Sequence, residues 1–188
     1  MTESTTEPTT EPRVEVADLA KLMSDIRIGM LTTRGEDGRL VSRPMAQQEV
    51  EFDGDLWFFA ERDSRKVAQL TADPHVALTL TSSTTWISVD GTATIVRDVA
   101  KARELWNAGV EAWLPQGPED PSVVLIHVTA ETAEYWDTPG GRIAAVLSFA
   151  KATLTGDRYE GGDHGTVRMR TQLTGKNPVD RVRGHDRG

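Results

Sequence analysis

The chain has 188 residues, 38% of them hydrophobic, and this length suits one domain with a real core and polar ends. A net charge of −8 and a pI of about 5.0 argue against general binding to nucleic acids or to anionic membranes. The absence of cysteine excludes disulfides, thiolate catalysis and thiolate metal sites. The sequence has neither an apolar run of about 20 residues nor the features of a signal peptide, so we expect a cytoplasmic protein without a membrane partner.

The two ends differ from the middle in composition. Residues 1–12 contain only Thr, Glu, Pro, Ser and the initiator Met, which is typical of a disordered acidic arm, taken here as 1–13. The other end is polar and basic and could bind RNA, an acidic partner or the acidic arm itself. Because the segment from residue 163 on lacks aromatic residues that stack on bases, we interpret 157–188 as a solvated, flexible tail. The folded domain is therefore predicted to span 14–156.

The middle of the chain alternates between short apolar segments and turn residues. In order, the patterns predict a helix at 14–24, strands at 26–33, 39–51 and 56–59, a helix at 65–72, strands at 75–81 and 84–97, a helix at 98–113, strands at 122–129 and 132–137, and a helix at 143–154. Pro44 cannot donate to a β ladder, so it indicates an edge or a bulge, and Asp90-Gly91 indicates a second bulge or a bend. This hairpin-rich order favours a mainly β (α+β) fold, an antiparallel barrel that is closed or partly closed, with appended helices.

One stretch, residues 55–72, contains the first indication of a site. It is predicted to form a buried aromatic strand, a turn, and a helix that Ser64 can cap. Arg65 and Lys66 occupy the first turn of that helix, where free backbone N–H groups and the macrodipole already favour an anion. A phosphate site and a solvated basic pair are equally compatible with this stretch alone.

The second indication is the segment Ser42-Arg43-Pro44-Met45. Strand alternation puts Arg43 on the same face as the apolar residues two positions away, so its guanidinium must reach a carboxylate, a phosphate or solvent. A charge on an edge strand that points to water is the alternative. Because the hairpin leads directly into the next strand, we expect 41–45 and 56–60 to be neighbours. Together these segments suit a flat, phosphorylated aromatic cofactor.

Other chemistry is weakly indicated. The four histidines are far apart in sequence, and His127, which lies in an apolar strand, is interpreted as structural. The HExxH, GxSxG, Walker A and GxGxxG motifs are absent, and no acidic pair has metal-ligand spacing. We therefore predict no metal site, and the sequence indicates no particular general acid or base.

The order and spacing of several motifs resemble the pyridoxamine 5′-phosphate oxidase-like superfamily. These motifs are Gly38-Arg39-Leu40-Val41-Ser42-Arg43-Pro44-Met45, Leu56-Trp57-Phe58-Phe59-Ala60, Ser64-Arg65-Lys66-Val67 and Asp73-Pro74-His75-Val76. Later motifs resemble the general stress protein 26 branch: Ser88-Val89-Asp90-Gly91-Thr92-Ala93, Leu105-Trp106, Ala112-Trp113-Leu114-Pro115-Gln116-Gly117 and Ala133-Glu134-Tyr135-Trp136-Asp137. The resemblance covers about 16–156.

The resemblance implies a split β-barrel that forms a homodimer and holds FMN in clefts between its subunits. By that analogy, the strand around Arg43 follows the isoalloxazine ring and ribityl chain, the helix start at 64–66 holds the phosphate, and Trp113 reaches the ring from the partner subunit. The cofactor-binding residues that the resemblance implies are Ser42, Arg43, Pro44, Met45, Phe59, Ala60, Ser64, Arg65, Lys66 and Trp113.

The function implied is a flavin-dependent oxidoreductase that acts on a small molecule and has a role in stress. Vitamin B6 oxidation is disfavoured, because the oxidases have a Gln and an Arg near the region that Trp86 and Ser88 occupy here, and their basic C-terminal motif has no clear counterpart. One alternative is a flavin-binding or flavin-sensing stress protein without turnover. Another is binding of the deazaflavin F420, whose longer acidic tail needs more cations than 64–66 supply.

Overall fold

The computed structural model describes residues 16–48, 52–137 and 163–168. Its elements are, in chain order, α1 (Val16–Ser24), β1 (Ile28–Arg34), β2 (Leu40–Ala46), β3 (Asp55–Glu61), α2 (Arg65–Ala72), β4 (His75–Thr81), β5 (Thr85–Val96), α3 (Val99–Leu105), α4 (Ala108–Trp113), β6 (Val123–Asp137) and β7 (Asp163–Arg168). None of these helices is both long and apolar enough to cross a membrane. The predicted acidic arm at 1–13 and the predicted helix at 143–154 lie outside the described residues.

All seven strands belong to one antiparallel sheet. Its order is β2-β1-β4-β5-β6-β3, and β7 pairs with the far end of β6. The sheet curls into a split β-barrel, so β2 and β3 are the two free edges on either side of the split. The prediction of a mainly β barrel with peripheral helices is confirmed, and so is the edge position of Pro44, because β2 pairs only with β1.

The expected adjacency of 41–45 and 56–60 is a contact across the split and not a strand pairing. β3 pairs with β6, at the opposite end of the sheet from β2. The two edges are joined just beyond β2, where the backbone N–H of Gln48 donates to the carbonyl of Trp57 at 3.3 Å. Consecutive strands joined by a short connection usually pair as a hairpin. Here β2 and β3 follow each other in the chain but form the two opposite edges of the split.

The core follows from strict alternation along the strands. In β4, Val76, Leu78 and Leu80 are buried and the residues between them are exposed. Phe58 of β3 is completely buried, and α1 adds Leu19 to the same cluster. Burial of a large aromatic side chain stabilises a fold by roughly 1.5–3 kcal/mol, so this face of each strand determines the register.

The opposite side of the sheet exposes large apolar residues, and we call this surface the outer face. It includes Ile28, 60% exposed, Met30, 42% exposed, and the cross-strand partners Trp86 and Trp136, each 45% exposed. The edge strand adds Pro44 and Ala46, which are exposed and lie opposite Met30 and Ile28 respectively. An apolar surface of this kind on a folded domain indicates contact with another molecule.

Two predicted elements have different boundaries in the structure. The single helix predicted at 98–113 is two helices, because the chain turns extended at Trp106 and the Asn107 side chain accepts a hydrogen bond from the N–H of Val110 to begin α4. The strands predicted at 122–129 and 132–137 are one 15-residue strand, β6. A bulge opposite Asp90 and Gly91 holds the extra residue, so the break predicted after residue 129 is a register shift and not a strand end.

The predicted tail contains a strand. β7, at 163–168, pairs antiparallel with residues 132–137 of β6, and Val167 is buried in the main core. The prediction of a solvated tail therefore does not hold for these six residues, although the flanking segments lie outside the described residues. The low apolar content of the segment hid the strand, because Val167 is its only aliphatic residue.

Candidate anion-binding site

The start of α2 provides backbone donors at a surface. The Ser64 carbonyl accepts the first intrahelical hydrogen bonds, from the N–H groups of Val67 and Ala68. The N–H groups of Arg65 and Lys66 therefore precede the first bonded turn and are open to an external acceptor. Ser64 occupies the N-cap position as predicted, but its hydroxyl does not cap the helix and donates to the Glu61 carbonyl at 2.6 Å.

Arg43 reaches this helix from the edge strand. Its Nη1 donates to the Leu31 carbonyl at 3.2 Å and to Thr33 Oγ1 at 2.7 Å, and its Nη2 donates to Gln69 Oε1 at 2.8 Å. Thr33 and Gln69 are buried, and the Thr33 hydroxyl donates in turn to Gln69 Oε1 at 2.8 Å. Sequence reasoning missed both partners, because nothing in a helix pattern distinguishes a buried glutamine from a solvated one. The network fixes the guanidinium beside the start of α2.

The electrostatics of this cluster favour an anion. Burial, followed by the charge of Arg65, lowers the pKa of Arg43 below its ordinary value. Burial, followed by the charge of Arg43, lowers the pKa of Lys66, while Glu61 acts in the opposite direction. Within residues 16–48, 52–137 and 163–168, no carboxylate forms an ion pair with any of the three cations. We call Arg43, Arg65 and Lys66 the cation cluster.

A cleft opens beside the cation cluster, between α2 and the turn that joins β1 to β2. Its volume is about 390 Å³. Arg65 and Gln69 line one wall of this cleft. Because Arg65 also belongs to the cation cluster, the cleft adjoins the cluster directly. The lining residues are Gly35, Glu36, Asp37, Arg39, Leu40, Val41, Arg65, Ala68 and Gln69.

The remaining predicted residues lie at several places. On β2, Ser42 and Pro44 are exposed, and Ser42 Oγ is 2.6 Å from Thr32 Oγ1. The side chains of Met45 and Ala60 are buried in the core, so only their backbone is available to a ligand. One subunit therefore does not present a flavin cleft lined by the side chains of Met45 and Ala60.

Phe59 packs against a second hydrophobic cluster, which contains Val110 and Leu114 at α4. Phe59 projects from the opposite side of β3 to Ala60 and meets Trp106 edge-on, with ring centroids 5.3 Å apart. Trp113 ends α4, which packs beside Phe59, and its side chain is 85% exposed. The structure thus brings Arg43 together with 64–66, whereas the Trp113 side chain is largely exposed.

His127 has a structural environment, as the sequence interpretation expected. Its ring stacks on Trp57, with centroids 4.2 Å apart, and Lys101 Nζ lies 5.5 Å above the same indole. The His127 Nε2 is 3.0 Å from Asp55 Oδ1, although the two atoms do not meet the angle of a regular hydrogen bond. The contact with His127 lowers the pKa of Asp55 against the raising effect of burial.

Replacing Asp55 with asparagine is expected to make the free energy of unfolding less dependent on pH in the acid range. A lowered folded-state pKa stabilises the protein above the unfolded-state value of about 3.9, and this contribution is lost as pH falls through the folded-state value. Thermal unfolding between about pH 5 and pH 3 measures the slope. Asp53→Asn, at an exposed neighbour, serves as the control, and equal slopes for Asp55→Asn and the parent protein would contradict the assignment.

The described part of the chain brings together no group of three or more His, Asp or Glu side chains that could hold a metal ion. The chemistry available at the site is therefore that of cations and backbone donors. These groups suit a phosphate or another compact anion, held at the end of a split barrel whose outer face is apolar.

The fold and the cation cluster define an antiparallel split-barrel protein with a site for an anionic ligand. The family profile described as "Pyridoxamine 5'-phosphate oxidase like" matches residues 14–160. The chain belongs to the pyridoxamine 5′-phosphate oxidase-like family, and the resemblance found in the sequence is confirmed.

Several known proteins are similar to this chain. Protein bli-3 of Neurospora crassa is 35% identical over 154 residues, which are 76% of this chain and 74% of that protein. A structure described as a general stress protein 26 from Jannaschia sp. CCS1 has a TM-score of 0.66 at 28% identity, and the match covers 81% of this chain and 99% of that one. The general stress FMN/FAD binding protein of Xanthomonas citri has a TM-score of 0.57 at 30% identity, covering 65% and 87% respectively.

Proposed function

We propose that this protein binds FMN and acts as a flavin-dependent oxidoreductase on a small molecule. The observation that supports the proposal is the cation cluster, whose three positive charges converge at a helix N-terminus without an ion-paired carboxylate in the described part of the chain. A phosphomonoester carries about −1.5 to −2 charges at pH 7, which matches such a cluster. The description of the Xanthomonas citri relative as an FMN/FAD binding protein supports the same ligand class.

Each part of the site has a separate role in this proposal. Arg65 and Lys66 bind the phosphate together with their own backbone N–H groups. Arg43 is held in place by Thr33 and Gln69, so its guanidinium is oriented before the ligand arrives. When bound, FMN supplies hydride or electron transfer, and the protein orients the cofactor and excludes water around it.

The proposed site is completed by a second subunit. The outer face suits a self-contact, because it exposes Met30 beside the edge strand that carries Ser42 and Pro44, and it also exposes Trp86 and Trp136 on the central strands. In such a dimer the exposed face of β2 borders the flavin, and the exposed Trp113 of one subunit approaches the ring held by the other. Phe59 and Ala60 then contribute through the backbone of β3.

Replacing Met30 with glutamate is expected to weaken dimerisation by at least about tenfold. The charge would be buried at the contact, and loss of an apolar side chain of this size costs roughly 1.5–3 kcal/mol. Light scattering over a concentration series measures the effect, with Ala100→Glu on the exposed side of α3 as the control. A parent protein that binds flavin as a monomer would contradict the shared-cleft arrangement.

A visible spectrum of the purified protein tests the flavin proposal directly. A yellow protein with bound FMN supports it, and a colourless protein that fails to take up added FMN overturns it. Addition of NADH or NADPH without oxygen then tests turnover. Bleaching supports the oxidoreductase, whereas a yellow protein that no reduced nicotinamide bleaches favours a flavin-binding or flavin-sensing role.

A further inference from the structure

Every acceptor that Arg43 reaches in the described part of the chain is neutral. Its Nη1 donates to the Leu31 carbonyl and to the Thr33 hydroxyl, and its Nη2 donates to Gln69 Oε1. The Thr33 hydroxyl donates its one proton to the same Oε1 atom, so the three side chains close a ring of hydrogen bonds. Because a guanidinium has only donors, the Gln69 amide must present its oxygen to Arg43.

The amide at position 69 stands where a carboxylate would also fit. Gln69 is buried, Thr33 is buried, and Arg43 is half-buried. A buried arginine is commonly paired with a carboxylate, which balances its charge and accepts two parallel hydrogen bonds. Glutamate has nearly the same shape as glutamine and could supply that carboxylate. With glutamine, the guanidinium is oriented while its positive charge stays unbalanced.

We propose that Gln69 is a positioning residue that sets the affinity of the site for a doubly charged phosphate. Its neutral oxygen orients Arg43 and leaves all three positive charges of the cation cluster to the ligand. A carboxylate at position 69 would bind Arg43 itself and cancel one of these charges. The inference rests on the proposed binding of a flavin phosphate, and it adds the residue that keeps the site cationic.

The unbalanced charge destabilises the protein without its ligand. Burial, followed by the charge of Arg65, lowers the pKa of Arg43, and burial, followed by the charge of Arg43, lowers the pKa of Lys66. These like charges repel one another until an anion binds. A carboxylate at position 69 would relieve the repulsion and also weaken the site, so stability and phosphate affinity should change in opposite directions.

Two substitutions at position 69 separate this role from packing. Gln69→Glu is expected to weaken FMN binding by at least about 10-fold and riboflavin binding by less than about threefold, with an unfolding temperature no lower than that of the parent. Gln69→Leu leaves the donors of Arg43 and Thr33 without their shared acceptor. It should lower the unfolding temperature and weaken FMN binding less than Gln69→Glu does.

Fluorescence titration of the apoprotein and thermal unfolding measure the two orders. If Gln69 only fills space, glutamate is the closer replacement and will be the milder one in both measurements, which overturns the inference. A Gln69→Glu variant that unfolds below Gln69→Leu overturns it as well. Ala100→Glu adds the same charge on the exposed side of α3 and is the control, which should change neither flavin affinity nor unfolding temperature.

Inorganic phosphate gives a measurement that does not depend on flavin. It is expected to raise the unfolding temperature of the parent apoprotein, and to raise that of Gln69→Glu by less. If phosphate has this effect and no flavin binds, the proposed function fails and the role of Gln69 stands. If FMN binds to the parent and to Gln69→Glu equally well, the flavin function stands and the role of Gln69 is overturned.

Discussion

Replacing both Arg65 and Lys66 with alanine is expected to weaken FMN binding by at least about 100-fold and riboflavin binding by less than about threefold. Hydrogen bonds to charged groups contribute roughly 1.5–3 kcal/mol each, and two of them are removed. Riboflavin lacks the phosphate and therefore does not depend on the pair. The difference between the two ligands, measured by fluorescence titration of the apoprotein, isolates the phosphate contribution from any general loss of the flavin site.

The control for this prediction removes two cations elsewhere. Lys21→Ala combined with Arg103→Ala makes the same change in net charge, and both residues form exposed ion pairs, with Asp18 and Glu119. Such pairs contribute little to stability, so this variant should fold and keep the affinity of the parent protein for FMN. Equal losses of FMN and riboflavin affinity in the Arg65/Lys66 variant would mean that the cation cluster does not hold the phosphate.

Replacing Gly91 with alanine is expected to lower the free energy of unfolding by about 3 kcal/mol. Gly91 lies at the register shift between β5 and β6. A Cβ at this position would overlap the carbonyl oxygen of Thr129 and would lie 3.0 Å from its carbonyl carbon and 3.1 Å from the Ala130 Cα. All of these atoms are backbone in the neighbouring strand, so the clash cannot be relieved by turning a side chain, and the two central strands must separate.

Urea unfolding of the Gly91→Ala variant measures this cost. Gly38→Ala provides the contrast, because a Cβ there meets nothing within 4 Å and the only penalty is a backbone φ of +79°. That penalty is of order 1–2 kcal/mol, so Gly38→Ala should unfold at higher urea than Gly91→Ala. The reverse order would mean that the close approach of β5 to β6 does not limit stability.

Local patterns allowed much of the barrel to be predicted from the sequence. The strand at 75–81 has the predicted bounds, because its alternation reflects one buried and one exposed face. The helix start at Arg65 was predicted from its N-cap position and from the aromatic strand before it. Arg43 and the 64–66 segment were predicted to share a site, and the structure brings them together through Gln69.

Features that depend on distant partners could not be predicted in the same way. The link between Arg43 and α2 passes through Thr33 and Gln69, whose burial is decided by the closing of the barrel. The placement of β3 beside β6, and not beside β2, is a choice between strand pairings that look alike in sequence. The extent of β6 was hidden because the residues at its bulge, 129–132, interrupt the apolar pattern of the strand.

The position of β7 has a practical consequence. β6 is longer than β3, and β3 covers its outer edge only along 123–129. Beyond that point β7 supplies the hydrogen-bonding partner for 132–137. A chain trimmed after residue 156, the end of the predicted domain, would leave the 132–137 length of this edge with unpaired backbone donors and acceptors. Such an edge is a template for intermolecular strand addition, so β7 protects the barrel from aggregation.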